Sequence, residues 1–354
     1  MTIRTHSIEE LKEKRRQGTV ETVVPFVLNG KQETVPKKIV NGEMEVIDYD
    51  KPLGEMMTSE TARKELVQKV VLDVELGREE VPVLYKPIYE TLTDPNFPKE
   101  FEAKWAQSGA VIFFEHLEGE EVKFGSLQAE SGPIARIKGY AAGFEYTKEM
   151  EIFNQMFNFE IMNRAFGEAH NALLNHLHLG PIIQHNYKAA NKTAAQYTNE
   201  LGKALENKTG AHYMLSLRAT LRQALKDARV AKRPGTVLLA NSADKEDIQD
   251  ALGSMTIQAT PYGATAGISD IIYYDGWDTN VARKEYAYPG VPQGKAFLIR
   301  PKRGFKELVK QGLQVNSTIG DLSRLVEAQI VGDFWRGVFA AVEENVQVIE
   351  FPGQ

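Results

Sequence analysis

The sequence predicts an α+β fold, and three observations carry that reading. Residues 149–178 place apolar side chains every three or four positions (Ile152, Met156, Phe159, Met162, Phe166, Ala169, Leu173 and Leu177), the period of one long helix. The C-terminal stretch alternates instead, with Val326, Ala328 and Ile330 against Glu327 and Gln329, then Val338, Ala340 and Val342, then Val346 and Val348. That is the two-residue period of strands. Between residues 110 and 146 lies a β-rich run broken by the charged turn Glu118-Gly119-Glu120-Glu121.

Composition bounds the rest. A chain of 354 residues corresponds to roughly two domains, or one large elaborated one, at about 150 residues each. With 42% hydrophobic and 25% charged residues the chain has the balance of a folded protein with a real core. The 42 basic and 48 acidic residues leave a net charge of −6, which argues against a chain-wide electrostatic grip on nucleic acid. No run of eighteen apolar residues exists, so no membrane span is expected. Residues 1–18 lack the apolar core of a secretory signal. Cysteine is absent, which excludes disulfides, thiol nucleophiles, thiolate zinc sites and iron–sulfur clusters. A reducing cytoplasm is the simplest setting for folding, although a chain without cysteine is equally compatible with life outside a cell.

Residues 1–57 are polar and turn-rich. Ser7-Ile8-Glu9-Glu10 is a capping box, followed by a short helix to about Gln17. Short apolar pieces, Val23–Leu28 and Met44–Ile47, are separated by the hairpin signals Asn29-Gly30 and Asn41-Gly42. With so few large apolar residues, this segment reads as an arm that needs another surface to pack on. Residues 59–76 form a helix with Ala62, Leu66, Val70 and Val74 on one face, and Gly77 is expected to end it as a left-handed cap. Pro82, Pro87, Pro95 and Pro98 imply an extended connector. Within 110–146, Ala110–Leu117 and Val122–Leu127 flank the charged turn and Ile134–Tyr146 is strand-like, which reads as a ribbon projecting from the body. Thr147 caps the long helix, with Glu149 and Glu151 in its first turn, and Gly180-Pro181 is expected to stop it after about 45 Å.

Further helices are expected over 190–207, 212–232 and 244–252. The second of these carries Met214, Leu217, Leu221 and Leu225 on one face. Strands are expected at Thr236–Ala240, Ile268–Tyr274 and Lys295–Ile299, with 253–267 as loop.

Chemistry-bearing patterns are sparse. His170, His176, His178 and His185 fall close together, but residues two apart on a helix diverge by about 200°, and no H-E-x-x-H spacing occurs. Gly202-Lys203 lacks the rest of a P-loop, and there is no G-x-G-x-x-G and no G-x-S-x-G. Gly263–Gly267 reads as a loop more readily than as an anion nest. Asp48, Asp50, Asp275 and Asp278 sit in turn-like sequence, where carboxylates cap or are solvated. Lys302, Arg303, Lys306 and Lys310 are basic residues that could touch phosphate or acidic partners, but a solvated helix face is the plainer reading. No catalytic set assembles and no cofactor or metal is expected. What stands out is an order of elements: arm, ribbon, long rod, mixed middle, returning strands.

In that order the chain resembles the major capsid protein of tailed bacteriophages, the Hong Kong 97-type fold. The resemblance rests on the arm (1–57), the ribbon Ala110–Tyr146, the entry Thr147-Lys148-Glu149-Met150 into the long helix, and the ending VEAQIVGDFWRGVFAAVEENVQVIEF within Gly312–Phe351. It implies an N-terminal arm over 1–57, a peripheral-domain helix and connector over 58–109, and an extended β-ribbon loop over 110–146. A spine helix follows over 147–181, then an axial domain over 182–305 and returning peripheral strands over 306–354.

The resemblance also implies a function: a non-enzymatic shell subunit that binds itself in hexamers and pentamers and encloses phage double-stranded DNA. The shell would assemble in the host cytoplasm and form the virion capsid. Implied partners are scaffolding, portal and decoration proteins, with packaged DNA held only weakly and non-specifically and no membrane. No large extension precedes the arm, so a fused scaffolding segment is not evident, which leaves room for a separate scaffolding protein. The ribbon tip, Glu118, Glu120, Glu121 and Lys123, is the expected interface; no asparagine partner for a crosslink to Lys123 is identifiable. An encapsulin-type nanocompartment shell is the first alternative, and an α+β enzyme with a dispersed site the second.

Overall fold

The computed structural model describes residues 19–28, 31–40, 43–44, 60–102, 134–147, 149, 156–198, 203–205, 211–253, 256–257, 260–261, 267–281, 284–319 and 326–353. In chain order the elements begin with strands β1 (Thr19–Leu28), β2 (Lys31–Val40) and β3 (Glu43–Met44), then helix α1 (Glu60–Glu80). Strands β4 (Glu90–Thr93), β5 (Glu100–Glu102), β6 (Ile134–Arg136) and β7 (Lys138–Thr147) precede the long helix α2 (Met156–Ile183). Next come β8 (Lys192–Thr193), α3 (Ala211–Val230), β9 (Val237–Ala240) and α4 (Lys245–Gly253). Strands β10 (Thr256–Ile257), β11 (Thr260–Pro261), β12 (Asp270–Tyr273), β13 (Gly276–Val281), β14 (Lys284–Pro289) and β15 (Lys295–Ile299) lead to two long strands, β16 (Phe305–Ile319) and β17 (Val326–Ala340). The short helix α5 (Val342–Asn345) and β18 (Val346–Glu350) complete the order. Mixed helix and sheet is thus the observed class.

The chain divides into two compact units, the first made of 1–82, 139–171 and 311–335, the second of 83–138, 172–310 and 336–354. In the first unit β1 and β2 pair antiparallel with Leu28 opposite Lys31, and β2 and β3 with Val40 opposite Glu43. Each pair of strands is thus separated by two residues in the sequence, Asn29-Gly30 and Asn41-Gly42. Pro36 sits in β2 opposite Val23, in a stretch where β3 does not pair and no ladder donor is lost. The hairpin finds its packing surface on α1: Val35, with Val24, lies against Val67, Val71 and Leu72.

Helices α1 and α2 cross closely. A Cβ at Gly77 would lie 1.9 Å from the Arg164 carbonyl oxygen, and one at Gly167 would lie 2.0 Å from that of Val74. Beside this crossing Lys69 is buried, 2.6 Å from Glu160, and Asn163 donates to Asp73 at 3.0 Å. Burial raises the Asp73 pKa, against the Asn163 hydrogen bond and the Lys69 charge. Asn171 donates to the carbonyls of Arg78 and Val81, satisfying the end of α1 from α2. Phe334 of β17 is packed between Tyr140, at 5.2 Å, and His170, at 5.0 Å.

The second unit is built on a five-stranded mixed sheet in the order β12-β9-β15-β18-β8. Strands β12 and β9 run parallel, as do β18 and β8, while β15 is antiparallel to both its neighbours. Helices α3 and α4 cover it: Leu217, Leu221, Leu225 and Ile248 pack on Leu238, Leu298 and Ile349 in one core. A smaller core joins Ala135, Ile137, Leu308 and Phe339. Strand β4 pairs parallel with the start of β16, and β5 pairs antiparallel with β6, Glu102 opposite Ile134.

Several expectations need correction. Gly77 does not end a helix; α1 continues to Glu80, and this glycine serves the crossing with α2. The long helix passes through Gly180-Pro181 to Ile183. Among the described residues of 190–207 there is no α-helix: a single 3₁₀ turn at Ala189–Asn191 gives way to β8 and then to a bridge between Thr198 and Ala204. Residues 306–310 belong to a strand, not a helix face. The expected loop over 253–267 carries the small pair β10–β11, and the β13–β14 hairpin went unread in sequence. The expected helix at 7–17 and the strands at 110–127 lie outside the described residues.

Candidate functional site

A dense polar cluster among the described residues of the second unit is centred on Glu307, a buried carboxylate on β16. Five segments supply its surroundings: the connector after α1 (Tyr85 and Tyr89), β4 (Thr91), α2 (His178), β16 itself and β17 (Arg336). The Tyr85 hydroxyl donates to Glu307 Oε1 at 2.7 Å and the Thr91 hydroxyl to Oε2 at 2.6 Å. Arg336 Nη1 donates to Oε1 and to the Tyr85 oxygen, the latter at 2.9 Å. His178 Nε2 stands 3.3 Å from Oε1, while its Nδ1 lies 2.7 Å from the Leu174 carbonyl oxygen. Tyr85 stacks on the imidazole at 3.5 Å, and Tyr89 meets it edge-on and donates to the His178 carbonyl at 2.6 Å.

The electrostatics follow from this packing. Burial alone would raise the Glu307 pKa, but the neighbouring His178 imidazole, the Arg336 charge and the Thr91 hydroxyl together bring it down to about 2. Burial lowers the His178 pKa, outweighing its carboxylate neighbour. Burial also raises Tyr85 and Tyr89, so both phenols remain hydrogen-bond donors at physiological pH. Glu307 is ionised, accepts from three protein donors and is 3% exposed. Such a carboxylate ties five chain segments together.

The other candidates are dispersed. His170 contacts Asn171 and Phe334 in the first unit. His176 stacks on Tyr288 of β14 at 4.5 Å, and His185 stands 3.5 Å from Glu343. Among the described residues no group of three His, Cys, Asp or Glu is placed to hold a metal ion. Asp275 accepts from the Ser242 amide and hydroxyl; Asp278 is exposed on β13. Lys306 pairs with Glu90, and Lys310 donates to the Phe97 carbonyl at 2.6 Å. Asp48, Asp50, Gly202, residues 263–266 and the ribbon tip Glu118, Glu120, Glu121 and Lys123 lie outside the described residues. Sequence reasoning missed the Glu307 cluster. The one local signal is the strand period, which puts Glu307 on the same face as Phe305 and Val309.

No family model matches the chain, and no curated protein matches it. Among solved structures it is similar to a virus-like particle from Pyrococcus furiosus, with 13% identity, 81% of this chain and 100% of that one covered, and a TM-score of 0.48. It is similar to the mature capsid of bacteriophage PhiM1, with 10% identity, 76% and 87% covered, and a TM-score of 0.48. It is also similar to the capsid of cyanophage P-SCSP1u, with 10% identity, 76% and 88% covered, and a TM-score of 0.44. Phage capsids are the class that the sequence resembles. Among the described residues no helix is long and apolar enough to cross a membrane.

Proposed function

We propose that this chain is the head-shell subunit of a tailed bacteriophage, with the Hong Kong 97-type arrangement of arm, ribbon, spine helix, axial and peripheral parts. It binds copies of itself in hexamers and pentamers of an icosahedral shell that encloses double-stranded DNA. The observation that carries this reading is the β5–β6 pair, in which Glu102 stands opposite Ile134. The chain thus leaves β5 and re-enters β6 at one rung of a single ladder, as the base of a ribbon that reaches over a neighbouring subunit would. Apolar side chains left exposed on β17, Val331 at 41% and Trp335 at 42%, support it, because a shell subunit covers such surface only on assembly. The reading assigns the chain no reaction and no cofactor. Scaffolding, portal and decoration proteins are its expected companions, in the host cytoplasm and then in the virion.

Negative-stain imaging with sedimentation of the purified protein tests this. Closed shells or ring-shaped capsomers are expected. A monomer under every assembly condition overturns the proposal, and shells filled with an enzyme instead of DNA reassign the chain to a nanocompartment.

A further inference from the structure

Two described non-glycine residues adopt positive φ, Lys232 at 58° and Lys302 at 64°, and both are lysines in the second unit. Lys232 follows α3. Its amide donates to the Arg229 carbonyl at 3.0 Å and the next amide, that of Arg233, donates to Ala228 at 2.8 Å, the paired bonds of a Schellman ending. Glycine is the usual residue at that position. Lys302 is the centre of a three-residue turn closed by the Arg303 amide on the Pro301 carbonyl at 2.7 Å, a rare turn when its central φ is positive. Each lysine stands where its side chain makes the backbone less favourable.

The two loops meet. Arg300 Nη1 donates to the Lys232 carbonyl at 3.2 Å, and the Lys302 amide donates to the Ile88 carbonyl at 2.7 Å, which brings in the connector carrying Lys86. Lys86, Lys226, Arg229, Lys232, Lys302 and Arg303 are all exposed, and none makes an ion pair among the described residues. Neighbouring carboxylates are occupied. Asp227 accepts from Thr193 at 2.9 Å and Gln223 at 2.7 Å, Glu343 pairs with Lys188, and Glu90 is held by Lys306 while also feeling Lys302. Arg229 also faces the negative end of α3, which accounts for that one cation; the loop lysines and Arg303 have no such cause.

We infer that this corner binds the phosphate backbone of nucleic acid, and it rests on the shell reading only in taking the polymer to be packaged double-stranded DNA. Protein interfaces are depleted in lysine and enriched in aromatics. Residues 226–236 and 300–304 include three of these lysines and no aromatic residue, and Val230 is their one large exposed apolar side chain. Phosphate contacts need mobile cations and no apolar anchor. The net charge of −6 confines such binding to a local patch.

The test is fluorescence anisotropy of a short DNA duplex with the full chain over a salt series. The variant is Lys232→Gly/Lys302→Gly/Arg303→Ala, in which both glycines suit the backbone, so melting should stay close to the parent's. A second variant, Lys99→Ala/Lys138→Ala/Lys295→Ala, removes the same charge from other exposed positions. Affinity for DNA should fall about tenfold or more in the first variant at moderate salt. The slope of log affinity against log salt should become shallower by between about 2 and 3, and the second variant should change little. No binding by the parent, equal loss in both variants, or no loss in the first overturns the inference. So does lost assembly with DNA affinity intact, which assigns the corner to another protein copy. Anisotropy reads the corner whatever the state of assembly, whereas imaging reads the shell, so the two proposals fail separately.

Discussion

At the residue scale the Glu307 cluster decides most. Glu307→Ala would leave the Arg336 guanidinium and the Tyr85 and Thr91 hydroxyls facing a void, and removing one partner of a buried ion pair costs about 3–5 kcal/mol. A large loss of melting temperature is expected in thermal denaturation, with Glu307→Gln losing less because its shape is kept. The pH dependence has a definite sign. The Glu307 pKa is depressed to about 2 in the folded chain against an ordinary value near 4.3. Its stabilisation is therefore complete above about pH 4.3 and is lost as the pH falls towards 2, a difference of roughly 3 kcal/mol. His178, also depressed, adds a loss that begins as the pH falls below about 6.5. Denaturant melts between pH 7 and 3 should show stability declining on acidification, with the lower step flattened in Glu307→Gln; an unchanged lower step refutes the assignment. None of this was legible in sequence, since Tyr85 and Glu307 are 222 positions apart and only folding joins them.

At the scale of elements the crossing of α1 and α2 makes the sharpest prediction. In an exposed helix Gly→Ala gains about 1 kcal/mol of helix propensity. At Gly77 and Gly167 the sign inverts, because the added carbon meets a backbone carbonyl that cannot turn aside. Gly77→Ala and Gly167→Ala should each destabilise by about 2 kcal/mol or more, read as a fall in denaturation midpoint. A midpoint that rises would show that the helices can part cheaply. The same crossing explains where the sequence misled: one sequence does not distinguish a glycine that ends a helix from one that lets another helix approach. Strand β16 escaped because Phe305, Leu308 and Val309 mimic a helical spacing, with Lys306 and Lys310 as its polar face. Residues 190–207 carry the alanines of a helix. Asn191, however, donates to the Glu343 and Val346 carbonyls, and Thr193 pairs in β8 with Ile349, so tertiary bonds override propensity. Where burial and period agreed, as in α3, β9, β15 and β18, the pattern was legible at once.

For the whole molecule the decisive segment is the excursion from β5 to β6. Its tip sequence, Glu118-Gly119-Glu120-Glu121, is charged and turn-forming, so it has little apolar surface to give its own subunit. Surface substitutions of this kind shift folding stability by about 0.5 kcal/mol or less. Charges at an interface rim act on association and partner choice instead, and in a closed shell one altered contact recurs at every symmetry-related copy. Reversing Glu118, Glu120 and Glu121 to lysine should therefore leave the melting of isolated subunits nearly unchanged while reducing or misdirecting particle formation. Melting curves of unassembled protein and particle yield by sedimentation read the two effects independently. A reversal that lowers melting by several degrees would mean the tip packs on its own subunit. Normal particles at normal yield would mean that it touches no neighbour, and the placement of the ribbon at a subunit interface would be wrong.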